Sequence, residues 1–345
     1  MAHLSFMILP VFDLPGDFLR SFLLSLLEMN LAGGAAIAFM LLVRKQAHAL
    51  IGARAVYLLW AIVPVAMAAT FLPPRTVEAD PLLYDRIVVS VPAIHEGIDW
   101  AELGLGLLIL AWVGGGIVLA GALAKKQRMF DREADKGLAG PAVVGFHFPR
   151  IVTPDDFTKR FSHDERKLIL THEQIHIERG DSRINAVVAL VRCLCWFNPL
   201  VHLGAQALSA DQELSCDASV VERRPRTRRI YAEVLIKTQI AQSQLMGALP
   251  VGCYWPAHPL KERIAALAMK PLPKGRHVMA SFAVVGLALG GGVAAWAAQP
   301  ERLVAPAEAI EIFLPFHPVD EDPAQPKVYR INTEPAPIAG ELPAL

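Results

Sequence analysis

Charge is scarce in this chain. Only 19 % of its 345 residues are Asp, Glu, Lys or Arg, and the 33 bases cancel the 33 acids. A zero balance provides no field to gather a polyanion, so direct nucleic-acid binding is not indicated, and the wealth of apolar residues excludes a disordered chain. Cysteine is also rare. Cys193, Cys195, Cys216 and Cys253 all fall in one central stretch, too few and too confined to imply a disulfide framework. There is no internal repeat, and no Lys or Arg precedes Arg20. The N-terminus therefore lacks the basic region of a cleavable signal peptide.

What the chain has in quantity is apolar surface. Hydrophobic residues make up 54 % of it, above the roughly 45–50 % of ordinary soluble domains, and they are bunched. Ala55–Leu72, Leu103–Ala124 and Val278–Ala298 contain no charged residue, and each is close to the roughly 20 residues needed to cross a bilayer. Phe22–Val43 is interrupted only by Glu28 and Asn30; Glu28 lies about 24 Å along a helix from Arg44, which places it at the opposite interface. These runs predict four transmembrane helices.

Charge asymmetry then predicts orientation. The link between the first two runs holds Arg44, Lys45 and Arg54 and no acid, whereas the next link holds two bases against six acids. Residues 125–277 hold 24 bases against 16 acids, and residues 299–345 hold 3 against 8. Since Lys and Arg gather on the cytoplasmic side, the long central segment is expected there, with both termini outside. The expected organisation is a three-span bundle (1–124), a cytoplasmic domain (125–277), a fourth span (278–298) and a short Pro-rich tail (299–345).

Within the central segment the pattern predicts a predominantly helical domain with a small β element. Lys125–Gly137 extends the third span as a helix. Pro141–Thr153 is β-branched and aromatic with Gly and Pro punctuation, which predicts a short hairpin or two edge strands. Ser162–Glu165 reads as a capping box opening a helix that runs to Arg179 and stops at Gly180. Residues 186–208 approach the length of a span, but Arg192, Asn198, Pro199 and His202 interrupt them, which favours a membrane-associated helical hairpin. The basic cluster Arg223–Arg229 reads as a solvated or lipid-facing loop.

The residues that carry chemistry begin with His172-Glu173-Gln174-Ile175-His176, an H-E-x-x-H. On a helix, positions i and i+4 share a face, so both imidazoles can reach one metal ion, and Glu173 is placed to act as general base toward a water on that metal. Such a set suits a zinc hydrolase with a single ion: two imidazoles and a third ligand leave a position for water. Glu213 and Asp217 form an E-x-x-x-D pair on a helix that Ser209 or Gln212 would cap. One carboxylate would bind the metal, and the other would hydrogen-bond the second nitrogen of a ligand histidine. Cys216, between them, reads as packing, with a soft ligand as the alternative. Arg183, Arg192, His202 and Tyr231 are open alternatives for polarising a substrate oxygen.

The ordered set VVGFHFPRIVTP, HEQIHIERGD, WFNPL, QELSCDASVV and YAEVLIK, together with the four-span plan, resembles the zinc-metallopeptidase domain of the BlaR/MecR-type sensor-transducers. The resemblance implies a gluzincin-like site in the cytoplasmic membrane of a bacterium. In it His172, His176 and Glu213 bind zinc, Glu173 is the base and Asp217 supports the ligands. Asp181 and Asn198 match the family pattern in supporting roles, as does the helix that Tyr231 leads. The implied substrate is a transcriptional repressor, another regulatory protein or the chain itself, with membrane lipid and a second copy of the chain as further partners. The S-x-x-K and K-T-G elements of a penicillin-binding sensor are not in the sequence, so the resemblance extends to the peptidase half, without direct β-lactam sensing. Two alternatives are a quality-control peptidase of the Ste24/HtpX type and a non-catalytic signalling scaffold.

Overall fold

A computed structural model describes residues 15–78, 100–138, 140–244, 260–269, 274–300 and 302–304. The chain opens with α1 (Pro15–Leu59) and α2 (Ile62–Ala69), followed by β1 (Thr76–Glu78) and α3 (Trp100–Asp135). The central part contains β2 (Ala142–Val144), β3 (Arg150–Val152), α4 (Phe157–Arg160), α5 (His163–Arg179), α6 (Asp181–Leu194) and α7 (Pro199–Arg223). It continues through a 3-10 turn (Pro225–Thr227) into α8 (Arg228–Gln244), α9 (Leu260–Ala268), α10 (Lys274–Ala297) and β4 (Arg302–Val304). The described chain is mostly helical, as its composition predicts. Cys253 and nearly all of the Pro-rich tail lie outside the described residues.

Two helical segments are long and apolar enough to cross a membrane, Leu19–Leu59 and Leu103–Asp135, and Phe282–Ala297 is a shorter apolar helix. The second of these presents Leu107, Leu108, Leu110, Ile117 and Val118 outward, a face suited to hydrocarbon rather than water. The basic link after Val43 is largely helical: helix continues through Arg44 and His48 and breaks at Gly52, with φ 83° and ψ 163°. The physical reason is that Arg44 and His48 turn inward to a buried acid, Asp211, so the helix need not stop to hydrate them. The second apolar run is divided in turn, because α1 ends at Leu59 and α2 begins at Ile62.

Helix α1 packs along α7, and α10 lies against α1 and α2. Their shared core includes Met40, Leu59, Trp60, Cys195, Val201 and Ala207. A second core joins α5, α7, α8 and α9 through Leu168, Ile175, Val220, Tyr231, Leu235 and Leu267. The end of α10 is tied to the segment after α2: Trp296 donates to the Pro73 carbonyl at 2.8 Å, and β1 pairs in parallel with β4 in the register Val77↔Leu303. Strands β2 and β3 form an antiparallel pair against α5, with Val143 opposite Ile151.

Local sequence positions the helices that matter most. Ser162 Oγ accepts from the Glu165 N–H, and Glu165 reaches back to the Ser162 N–H at 2.7 Å, which completes the capping box of α5. Gly180, at φ 70°, ends α5 and immediately begins α6. This one-residue joint turns the chain so that the side chain of Asp181 comes back onto α5. The α6–α7 hairpin closes at Cys195–Asn198, where Asn198 caps α7 by accepting from the Leu200 N–H at 3.0 Å. Consequently α7 runs unbroken past Ser209 and Gln212. The expected second helix start there is not present, because Asn198 and Pro199 already supply the start and nothing interrupts the helix afterwards. The hairpin docks on α3: Trp196 donates to the Trp112 carbonyl at 3.0 Å, and Trp112 donates to the Leu194 carbonyl at 2.7 Å. Gly115 makes this approach possible, since a Cβ there would lie 2.2 Å from the Trp196 ring.

Replacing Gly180 by Ala forces a side chain into the left-handed region and is expected to destabilise the fold by about 1 kcal/mol, with Asn costing less. Thermal unfolding of the detergent-purified variants measures this; equal melting temperatures for Gly, Asn and Ala would contradict the role given to the joint.

Candidate metal centre

The centre is assembled from α5, the first residue of α6, and α7, α8 and α9. On α5, His172 and His176 lie one turn apart, with their Nε2 atoms 3.1 Å from each other. Glu213 on α7 faces both: its Oε2 is 3.4 Å from His172 Nε2 and its Oε1 is 3.6 Å from His176 Nε2. Glu173 is on the same turn and buried.

Each imidazole is fixed from behind. His176 Nδ1 lies 2.6 Å from Asp181 Oδ2. A buried, ionised carboxylate only accepts, so Nδ1 carries the hydrogen and Nε2 is left with its lone pair facing forward. Asp181 is 2 % exposed, and its charge is balanced by Arg179, which also donates to Ser215 Oγ at 2.8 Å and to the Gln212 carbonyl at 3.1 Å. His172 is held by a relay. Tyr231 donates its hydroxyl proton to Asp217 Oδ1 at 2.6 Å and so accepts from His172 Nδ1 at 2.8 Å. Asp217 in turn receives two bonds from Arg263 on α9, at 2.7 and 2.6 Å. Arg263 also stands 3.2 Å from Glu213 Oε2. Two unprotonated nitrogens aimed at each other across 3.1 Å repel unless a proton or a cation lies between them.

The electrostatics follow from this packing. Burial pushes Glu173 above the ordinary carboxylate range, with His172 and His176 opposing part of that rise. Glu213 is buried too, but Arg263 and the two imidazoles outweigh the burial and hold it well below that range. Burial opposes protonation of His172 and His176. Cys216 and Glu213 prevail around the first, taking it to about 10, and Cys216 and Asp181 around the second.

Residues 119–267 match the family described as BlaR1 peptidase M56, a span that contains every side chain of the centre described above. The regulatory protein BlaR1 of Bacillus licheniformis is 32 % identical over 184 residues, covering 50 % of this chain and 30 % of that protein. The methicillin resistance mecR1 proteins of Staphylococcus aureus and Staphylococcus epidermidis are each 29 % identical over 105 residues, 30 % of this chain and 18 % of theirs. Residues 119–267 of this chain therefore form a peptidase domain of the BlaR/MecR type. It spans less than a third of the length of these relatives. No solved structure matches it. The M56 peptidases are metallopeptidases, generally zinc-dependent.

The residues fit such an ion. Bonds of about 2.0–2.2 Å from a tetrahedral zinc to nitrogen and oxygen place neighbouring ligand atoms roughly 3.3–3.5 Å apart. Here the two imidazole nitrogens are 3.1 Å apart, and each faces its own Glu213 oxygen, His172 at 3.4 Å from Oε2 and His176 at 3.6 Å from Oε1. Cys216 competes for the third position, since its sulfur can join His172 and His176 in a set whose ligand atoms lie within 4.8 Å of one another. Glu213 presents one carboxylate oxygen to each imidazole. Burial would raise the Cys216 thiol, but the two imidazoles outweigh it and hold the group below its ordinary range; its sulfur lies 3.3 Å from the His172 carbonyl oxygen, where it packs α7 onto α5.

The other residues singled out in sequence fall as follows. Asp217 does not touch an imidazole directly: it is 3.6 Å from His172 Nδ1, and the Tyr231 hydroxyl bridges the gap. That hydroxyl, 1 % exposed in its residue and bonded on both sides, is behind the imidazole and not turned toward a substrate. Asn198 caps α7 and donates to Asn30 at 3.4 Å, a structural position. Arg192 and His202 meet each other at 3.4 Å on the hairpin, with Arg192 about 16 Å along α6 from Asp181. Arg263, Arg179 and Tyr57 carry no spacing signal. Tyr57 and Arg263 reach the centre through tertiary packing, Arg263 from 46 residues beyond Asp217, while Arg179 bonds to Asp181 two residues along the chain.

Because both imidazoles bind protons tightly in the absence of metal, zinc must displace them. Zinc affinity is therefore expected to rise with pH, by more than tenfold per unit between pH 6 and 8. Competition titration with a chelator measures it; a pH-independent affinity would contradict this arrangement of charges.

Proposed function

We propose that the chain is a membrane-embedded zinc endopeptidase that transduces a signal by cleaving a cytosolic, repressor-like regulator or itself. The observation that carries the reading is the pair of Nε2 atoms 3.1 Å apart, both imidazoles fixed from behind, with the Glu213 carboxylate in front and Glu173 beside them. A purely structural metal site has no need of a buried, unpaired glutamate on the ligand helix.

Zinc held by His172, His176 and Glu213 supplies Lewis-acid polarisation of a carbonyl and acidifies a water. Glu173 takes a proton from the water as its oxygen attacks the peptide carbonyl carbon. It returns that proton to the departing amine nitrogen as the C–N bond breaks, and so ends as it began. A carboxylate lifted above its ordinary range by burial is suited to both transfers. Asp181, and Tyr231 with Asp217, keep the imidazoles in the tautomer that binds metal, and Arg263 offsets the cost of burying Glu213 and Asp217 together.

The same reading assigns four crossings: the first part of α1, the remainder of α1 with α2, α3, and α10. Residues 1–124 form the three-span bundle, 125–277 the cytoplasmic catalytic domain with its hairpin, 278–298 the last span and 299–345 the tail. Both termini lie outside the cytoplasmic membrane. The excess of bases in 125–277 and the acidic tail support this orientation.

Glu173→Ala leaves every metal ligand in place and is expected to lower peptide hydrolysis by about 10²- to 10⁴-fold while retaining zinc. Comparison of protein N-termini in host cells carrying wild type or Glu173→Ala identifies the substrate. New termini in one regulator, or in the chain itself, agree with the proposal. Termini in many membrane proteins point to a quality-control peptidase, and identical termini point to a scaffold.

A further inference from the structure

Helix α1 has a second role beyond its apolar face. Arg44 and His48 lie before its break at Gly52, and Tyr57 and Trp60 after it. Three of these four converge on one buried carboxylate of α7, that of Asp211. Arg44 donates to Oδ2 at 3.1 Å and to Oδ1 at 2.6 Å, His48 Nε2 lies 2.7 Å from Oδ1, and the Trp60 indole donates to Oδ2 at 2.8 Å. An ionised carboxylate offers about four lone-pair sites, and here four contacts from three side chains take them. A single side chain, two residues before Glu213, therefore staples the first half of α1 and the residue just past its end to α7.

Tyr57 stands in the second half of α1. It donates its hydroxyl proton to Asp181 Oδ1 at 2.8 Å and accepts from Gln212 Nε2 at 3.1 Å, both partners buried. The Arg179 guanidinium lies 4.9 Å from the centre of its ring. Asp181 thus has one oxygen fixed from α1 and the other on His176 Nδ1. Arg179 donates to Oδ2 as well, and among the described side chains the hydrogen-bond partner of Oδ1 is Tyr57.

We propose that Tyr57 is a positioning residue of the metal centre. From α1 it fixes Asp181, and through Asp181 the tautomer and aim of His176, while the Asp211 staple keeps Tyr57 in register. The inference rests on the metal-centre reading above and adds to it that α1 is part of the site's supporting structure. A change of angle at Gly52 shifts Tyr57 relative to Asp181, so the state of this apolar helix reaches the ion through two hydrogen bonds.

The test is a double-mutant cycle on the purified full-length chain with Tyr57→Phe, Asp181→Asn and both together. Zinc affinity is read by chelator competition, and ligand geometry by the visible absorption of the cobalt(II)-loaded protein. Loss of an outer partner of a ligand histidine typically weakens metal binding about 10- to 100-fold. Tyr57→Phe is expected to weaken zinc binding about tenfold and to alter the cobalt band, with no further loss once Asp181 is Asn. Gln212→Met, which removes the other partner of the same hydroxyl, is an independent variant with a smaller loss that also vanishes in the Asp181→Asn background. Unchanged affinity and cobalt spectrum in Tyr57→Phe, or the same tenfold loss with and without Asp181, would overturn the proposal. A wild-type chain that takes up no zinc would overturn the metal centre itself, a different failure.

Discussion

The arrangement depends on one constraint: two histidine nitrogens must face each other with their lone pairs while both rings are buried. Imidazoles left to themselves would turn or take up protons. Here neither can turn, because Asp181 holds one ring from behind and the Tyr231–Asp217 relay holds the other. These supports themselves need charge, which Arg179 and Arg263 supply. Buried ion pairs add little net stability, yet removing one partner typically costs about 3–5 kcal/mol, because an uncompensated charge is left inside. Their service is to fix geometry. The metal would complete the set by displacing the protons that these nitrogens otherwise hold and bonding to both.

Such a centre cannot be made from a short stretch of chain. Its ligands come from α5 and α7, its relay from α8, its balancing arginine from α9 and its deepest support from α1. Helix α7 connects these parts, since Asp211, Glu213, Cys216 and Asp217 lie within two turns of it and meet α1, the imidazoles and α9 in succession. The membrane-type helix and the hydrolytic machinery therefore share one rigid element. Under the proposed function, a displacement of α1 would reach the imidazoles through α7 without a separate linker.

Much of this was legible in the sequence because it is local. The capping box at Ser162, the stop at Gly180 and the i, i+4 spacing of His172 and His176 are properties of one helix, and short-range geometry determines them. The spacing of Glu213 and Asp217 was visible too, although only the resemblance chose Glu213 between them. What was not legible is tertiary. Arg263 is one arginine on an amphipathic helix, with nothing in its neighbours to show that two carboxylates await it. Tyr57 sits in a run that reads as plain membrane span. The continuous helix through Arg44 and His48 was hidden because Asp211, 167 and 163 residues away, removes the reason for those residues to seek water. Similarly, Ser209 resembles a helix start only while the stronger start at Asn198–Pro199 is assigned to a hairpin turn alone.

The central claim, that His172, His176 and Glu213 hold the ion and Cys216 does not, is tested most directly by X-ray absorption at the zinc edge of the loaded, full-length protein. The account predicts a shell of nitrogen and oxygen at about 2.0–2.2 Å, with the outer scattering of two imidazoles and no sulfur. A sulfur scatterer at about 2.3 Å would contradict it and place Cys216 on the metal.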